Sequence, residues 1–495
     1  MQFRTERDSL GEHAVPADAY YGIQTVRARE NFPISGLRAP ADLVTATVLV
    51  KKAAAAANME LERLDARVGE AVVRAADEVL SGLLRDQFVV DVYQAGAGTS
   101  HNMNTNEVLA NRAAEILGGA RGEYTLVHPN DHVNMAQSTN DVFPTATRLA
   151  LLLVHGALVE SARALAASLD RKARVFDAIL KVGRTHLQDA VPMTLGQEFG
   201  GYAACVARGA DDVEHASEQL RELNLGATAV GTGLNAGDDY TRLAIGTLSR
   251  YTGIDLVPAR NRFRVTQSMG DVLAYSGAMR RLSVELSKVA SDLRLLSMGP
   301  RAGIGEIALP AVQPGSSIMP GKINPSVPEM VNQVCYQVIG CDTTICLAAE
   351  AGQLELNVMM PVIAWNAIHA STILRESMKV LRTRCVDGIE PDPKRCRELL
   401  DRSTAAATAL NPYIGYARTA EIAKESVKTG KPIRELVLER GLLDATQLDR
   451  ILSVEAMTQP GVVPASAPGD SAEATARPRQ SAPRARDGEG EEKAR

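Results

Sequence analysis

Between Val272 and Leu296 the apolar positions are Val272, Tyr275, Met279, Leu282, Leu286, Val289, Leu293 and Leu296, in steps of 3, 4, 3, 4, 3, 4 and 3. Alternating steps of this kind put them all on one stripe of an α-helix with a 3.5-residue repeat. Such a helix runs about 35–40 Å. A stripe that long needs other long helices beside it at a shallow crossing angle. Gly299–Pro300 marks its end. Leu151, Val154, Leu158, Leu165 and Leu169 form a second helical stripe. Val327 to about Ala349 reads as a third helix, and Ser326 with Glu329 is spaced for a capping box at its start.

The pattern predicts a mainly α chain in several parts. Residues 1–140 mix loops and short helices, residues 141–396 carry the long-helix bundle, and residues 397–458 form a smaller helical unit. Lys428-Thr429-Gly430 has turn chemistry within that unit. Residues 459–495 are rich in Pro, Ala, Ser, Gly and charge, and cannot offset their ordering entropy, so they are expected to be a disordered tail.

Composition narrows the class. Aromatic residues are only 4% while apolar residues make up 45%, which favours helices packed through Ala and Leu. A net charge of −5 with both signs interspersed excludes a basic nucleic-acid footprint. The start, MQFRTERDSLGEH, is polar, and the longest apolar run, near Leu149 to Val154, is short for a bilayer. A cytoplasmic protein with no membrane partner is expected. Cys205, Cys335, Cys341, Cys346, Cys385 and Cys396 form no CxxC pair and read as reduced core residues. No His or Cys cluster has zinc spacing.

Candidate chemistry concentrates in Gly315-Ser316-Ser317-Ile318-Met319-Pro320-Gly321-Lys322-Ile323-Asn324-Pro325. Its glycines and prolines make it a loop. It is one residue too long for a phosphate-binding P-loop, and Ile follows the Lys where Ser or Thr is needed. A serine used as a base is the alternative. A lysine cation about 4 Å away would stabilise an alkoxide by roughly 4 kcal/mol at an effective dielectric near 20, and backbone N–H groups would add to this. The bland reading is a surface turn.

Gly98-Thr99-Ser100 and Ser138-Thr139-Asn140-Asp141 offer neutral donors suited to a carboxylate, although both also fit N-cap or turn chemistry. Arg184-Thr185-His186-Leu187-Gln188-Asp189 holds a lone His, more often structural than catalytic. His128 and His132 stand four apart, but the intervening Pro129 argues against a shared helical face and a metal pair. Gly231-Thr232-Gly233-Leu234-Asn235 lacks a preceding strand and so is no dinucleotide site.

Taken in order, GSSIMPGKINP, HPNDHVN, RTHLQDAVPMTLGQE and GTGLN resemble the aspartase/fumarase superfamily over residues from about 5 to 457. Tyr20-Tyr21-Gly22, Gly98-Thr99-Ser100, Ser138-Thr139-Asn140 and Asn411-Pro412-Tyr413 are similar to the aspartase branch. Gly321, Met360 and Ala95 depart from some members without removing a catalytic group. The resemblance implies a three-domain, mainly α fold whose central bundle is shared in a homotetramer, with each active site built from three chains.

The implied reaction is elimination of ammonium from L-aspartate to give fumarate, with no organic cofactor. Activation by a divalent cation is also compatible with it. Ser316 would be the base. Thr99, Ser138, Thr139 and Ser317 would bind the β-carboxylate, Thr185, Lys322 and Asn324 the α-carboxylate, and Asn140 and His186 would flank the amine. Glu329 would pair with His186, in competition with its capping box. His128, Asn130 and Asp131 resemble a secondary carboxylate site. The competing readings are a fumarate hydratase and a catalytically silent helical assembly.

Overall fold

Five long helices close a ring in the computed structural model, which describes residues 2–462. They are Thr139–Val175, Leu195–Ser217, Gly270–Leu296, Ser326–Glu350 and Met360–Arg384. The Thr139 helix packs on the Leu195 and Met360 helices. The Gly270 helix packs on the Leu195 and Ser326 helices, and the Ser326 and Met360 helices complete the ring. The expected tail lies, beyond residue 462, outside the described residues.

Every residue of the 272–296 stripe is buried. The long helices that the stripe was expected to need beside it come from the same chain, so it needs no second subunit to cover it. The bundle has enough faces within one chain. The expected capping box at Ser326 does not form either. Pro325 occupies the N-cap position and no side chain caps the helix. Ser326 is one residue too far into the helix, and its buried Oγ has no partner. Glu329 in the first turn is therefore not engaged as a cap.

By contact density the chain divides into two units, one holding residues 1–177 and 195–393, the other residues 178–194 and the chain from Lys394. The N-terminal region joins the bundle in the first unit because the Ala-rich helix Ala41–Glu60 packs on the Thr139 helix. Its own core links Val15, Val48, Val72, Val108 and Val133. In the second unit, Leu180 and Val182 of a hairpin pack with Leu400 and Ala405. Beyond them, Leu410, Ile422, Leu436 and Leu448 form a small helical core. The turn at Lys428-Thr429-Gly430 ends a helix, with Gly430 in the left-handed region at φ 75°.

The Thr139–Val175 helix is long and apolar enough to cross a membrane by length and composition, but 78% of its apolar window is buried inside the chain. Its start is closely specified. Ser138 and Asp141 form a capping box. Pro144 lies inside the helix and denies a hydrogen bond to the carbonyl four residues back. That carbonyl, on Asn140, accepts from Asn224 Nδ2 at 3.1 Å instead.

Beneath this helix start lies a buried polar layer. Lys51 is fully buried and donates to Asn134 Oδ1 at 2.8 Å and Gln137 Oε1 at 2.9 Å. Asp141 accepts from Gly226 N at 3.0 Å and Thr228 N at 2.9 Å, fixing the 226–230 turn. Burial pushes the Asp141 carboxyl up to about 7 against the pull of its backbone donors. Burial likewise pushes the Lys51 amine down to about 7, with the nearby Asp141 charge opposing it.

Farther along the same helix, Arg148 is buried against Asp271, with Nε 2.6 Å from one carboxylate oxygen and Nη2 3.2 Å from the other. Asp271→Ala strands that guanidinium in the core. It is expected to cost about 3–5 kcal/mol, read as a lower thermal midpoint, while Arg148→Met with Asp271→Leu together costs less. For Lys51, the unfolded chain between about pH 7 and 10 keeps a proton that the folded chain has released. Folding therefore gains stability as pH rises through that window. Thermal midpoints of wild type and Lys51→Met, compared from pH 7 to 10, should show a wild-type-only rise; parallel curves would disprove the shift.

Candidate active site

Two helices start side by side in the first unit. The Thr99–Ile116 helix begins after Ala97 and Gly98, both in the left-handed region at φ 59° and 82°. A Cβ on Gly98 would meet the Phe143 ring at a distance no side chain tolerates. Only glycine lets this turn press against the Thr139 helix. Thr99 is thereby exposed next to the segment of Ser138, Thr139 and Asn140. Two helix N-termini concentrate unpaired N–H groups and partial positive charge, which suits a carboxylate.

Within this pair, Thr99 Oγ1 donates weakly to Gly96 O at 3.3 Å. Ser138 Oγ accepts from Asn140 N at 3.2 Å, so its own hydrogen remains available to a ligand. Asn140 Nδ2 donates to Ala229 O at 2.8 Å, tying it to the 226–230 turn rather than leaving it free.

A cavity of about 560 Å³ opens beside Thr99 and is walled also by Arg7, Arg27, His128 and Asn130. His128 and Asn130, two of the three residues expected at a secondary site, thus share a cavity with Thr99, and Asp131 is outside its lining. His128 Nδ1 accepts from Asn130 N at 3.3 Å and Asp131 N at 3.2 Å. His132 Nδ1 accepts from His128 N at 2.9 Å, and burial lowers the His132 pKa. Both Nδ1 atoms are occupied by backbone donors in the Pro129–Val133 turn. Among the described residues no group of three or more His, Cys, Asp or Glu could hold a metal ion.

The 315–325 loop folds on itself. Gly315 N donates to Lys322 O at 2.7 Å and Asn324 Nδ2 donates to Gly315 O at 2.8 Å. Ser316 Oγ accepts two backbone N–H groups, from Ile318 at 3.2 Å and Met319 at 3.0 Å. These are the donors an alkoxide requires. Lys322 and Ser317 are exposed, and Lys322 is not hydrogen-bonded to Ser316 in this conformation.

Ser316 and Thr99 are not brought together within one chain. The base of the loop, at Val312 and Asn324, packs beside Arg384 and Cys385, at the C-terminal end of the Met360–Arg384 helix. The Thr99 turn is bound to the other end, where Ala97 N donates to Val358 O at 2.9 Å. The 25 residues between span about 36 Å. The four residues from Val312 to Ser316 recover at most about 14 Å of that.

Thr185 and His186 belong to the second unit. They close the hairpin of Leu180–Thr185 with Gln188–Thr194. His186 and Leu187 make its two-residue turn with φ of 56° and 59°. Positive φ at both positions is the geometry of a type I′ turn, usually Asn-Gly, and non-glycine residues there cost about 1–2 kcal/mol each. The strain projects an exposed His186 from the tip.

Sequence reasoning missed Lys51, Asn134 and Gln137, which support the 128–141 segment from below. Lys51 sits next to Lys52 in an Ala-rich helix, which reads as a solvated face. Val358 was also missed, since nothing local ties it to Thr99.

A family model described as lyase matches residues 11–340, and one described as fumarase C C-terminus matches residues 407–459. The aspartate ammonia-lyase of Bacillus subtilis is 47% identical over 93% of this chain and 97% of its own. That of Escherichia coli is 50% identical over 92% and 96%. A fumarate lyase:delta crystallin structure from Brucella melitensis superposes with a TM-score of 0.90 at 51% identity, covering 93% of this chain and all of the other. Class II fumarase from Schistosoma mansoni gives 0.88 at 37% identity, covering 92% and 98%. With a family model over residues 11–340 and relatives about half identical along nearly its whole length, the chain belongs to the aspartase/fumarase family of lyases.

Proposed function

We propose that this enzyme eliminates ammonia from L-aspartate to give fumarate, reversibly, with Ser316 as the base. The observation that carries the reading is the pair of backbone N–H groups on Ser316 Oγ. A neutral serine makes the same turn through its two lone pairs, and the donors are then already in place when the hydroxyl loses its proton. Relatives that carry the aspartate ammonia-lyase name reach 47–51% identity, against 37% for the class II fumarase. That difference favours ammonia over water as the group released.

The Ser316 alkoxide takes the proton from the carbon beside the β-carboxylate. The electron pair of that C–H bond moves into the β-carboxylate, which becomes a dianion. It then returns to form the C=C bond as the C–N bond breaks. Thr99, Ser138, Thr139 and Ser317 donate to the dianion, and each well-placed donor contributes about 3 kcal/mol. Thr185, Lys322 and Asn324 hold the α-carboxylate, which aligns the C–H bond with the base. Asn140 and His186 flank the leaving amine, with Glu329 paired to His186. His128, Asn130 and Asp131 would form a secondary carboxylate site, the first two on the cavity by Thr99. No step runs through a metal. Activation by a divalent cation is read by assay before and after chelation.

The Met360–Arg384 helix length implies that Ser316 of one chain serves Thr99 of another. A homotetramer with shared sites meets that need. On the outer face of the Ser326–Glu350 helix, Tyr336 and Leu347 are 62% and 67% exposed, which supports contact between copies. The six cysteines form no disulfide with one another, which fits a reducing compartment, the cytoplasm.

The direct test is fumarate absorbance from L-aspartate, with L-malate and L-glutamate as controls. Malate formed from fumarate with no aspartate when ammonium is present would replace the assignment by a hydratase. Ser316→Ala is expected to lower kcat by about 10²–10⁴-fold with the oligomer intact. Thr99→Ala is also expected to be nearly inactive. Unfolding and refolding the two variants together should restore activity, because some sites then combine an intact Thr99 with an intact Ser316. A mixture as inactive as its parents rules out shared sites.

A further inference from the structure

Every Lys and Arg on the Thr139, Leu195 and Gly270 helices has a polar partner within the chain. The Met360–Arg384 helix departs from this. Lys379 and Arg382 make no ion pair or hydrogen bond through their side chains, and Arg375 pairs only with its sequence neighbour Glu376, at 2.8 Å. Carboxylates are not lacking nearby. Glu160 and Glu376 line the same cleft as the three cations, yet neither meets Lys379 or Arg382.

The cations form one row. Arg375, Lys379 and Arg382 follow one another in steps of 4 and 3, which puts them on a single stripe about 10 Å long. Like charges at that spacing repel, so the row destabilises its own helix unless an anion lies along it. Facing it on the Thr139 helix are Ala157, Ser161 and Ala164, in the same steps. Their short side chains leave the space between the two helices open as a cleft of about 320 Å³, which is the size of a small-ligand site. Arg382 sits in the last turn, where a cation also answers the helix's unpaired carbonyls. Lys379 and Arg375 lie before that turn, so the helix end does not account for them.

We propose that this cleft binds a linear polyphosphate, either free or as the tail of a nucleotide. A row of cations is neutralised best by charges strung in a line, and a single small anion reaches only part of it. The two guanidinium groups offer paired N–H donors that match phosphoryl oxygens. The ammonium of Lys379 adds a point charge between them, and the Ser161 hydroxyl adds a neutral donor from the opposite wall. Glu160 supplies an acceptor at the same cleft, suited to a hydroxyl or amine carried beyond the phosphates. The cleft begins at Arg375, about 22 Å along the helix from the Thr99 turn, so it is distinct from the carboxylate donors there.

The test is titration calorimetry on the full chain, free of divalent cations and with excess succinate present to occupy carboxylate sites. Tripolyphosphate, ATP and orthophosphate are the probes. Tripolyphosphate is expected to bind at least about tenfold more tightly than orthophosphate. Lys379→Ala and Arg382→Ala should each weaken it about tenfold, while fumarate release from L-aspartate without polyphosphate stays at the wild-type rate. Neither side chain is tied into the fold, so both variants should fold. ATP binding more tightly than tripolyphosphate assigns the cleft to a nucleotide tail, and ATP binding no more tightly assigns it to free polyphosphate. Absence of tripolyphosphate binding, binding that both variants retain, or orthophosphate binding as tightly would each overturn the proposal. So would loss of the oligomer in Lys379→Glu with Arg382→Glu when tripolyphosphate does not bind the wild type, since the row would then pair with a second copy.

Discussion

The rigidity of one helix governs how this protein can work. Met360–Arg384 is packed into a ring of five, with the Thr99 turn fastened at its start and the serine loop packed at its end. Helices in such a ring cannot shorten or bend by tens of ångströms without opening the core. The two halves of the chemistry are therefore kept apart within a chain by the same packing that makes the chain fold. If both halves act in one reaction, as proposed, bringing them together requires another copy in the opposite sense. Antiparallel helices are the arrangement that places one chain's end beside another's beginning.

The donor half is built for fixed geometry. Asp141 caps the Thr139 helix and also receives the 226–230 turn, and Asn140 is held by that turn in return. Asn224 completes the set by taking the carbonyl that Pro144 releases. Lys51 braces the segment from beneath through Asn134 and Gln137. The Asp141 bonds to Gly226 N and Thr228 N are buried, where an unmade one costs about 1–3 kcal/mol, so they hold the turn in one place. A site that must stabilise a dianion gains from donors that need no reorganisation as charge develops.

Much of this was legible in the sequence, and the failures have physical causes. The 3–4 spacing located the Gly270–Leu296 helix almost to the residue, because a long stripe averages out local ambiguity. It did not reveal what would cover the stripe, since periodicity describes one helix face and not its partner. The Ser326–Glu329 spacing suggested a cap, and a shift of one residue removed it. Ser138–Asp141 has the same form and does cap, while still presenting its hydroxyl. The bland and functional readings of that segment are compatible, because capping uses the oxygen lone pairs and substrate binding uses the hydrogen. Lys51 and Val358 were invisible because their roles arise from contacts tens to hundreds of residues away in sequence.

The serine loop departs from the donor half in kind. It is held by a few backbone bonds and exposes Ile318, Met319 and Ile323 to water. Such exposure is costly in a lone chain and useful in a moving part. A loop that closed only through charge would close on any dicarboxylate and hold product as firmly as substrate. Apolar contact area is the same before and after the reaction, so it cannot by itself tell substrate from product. The polar donors can then be devoted to the difference between substrate and dianion, where catalysis resides. Beside Ser316, the Ile318 and Met319 N–H groups are donors already in place for an alkoxide that must take a carbon-bound proton.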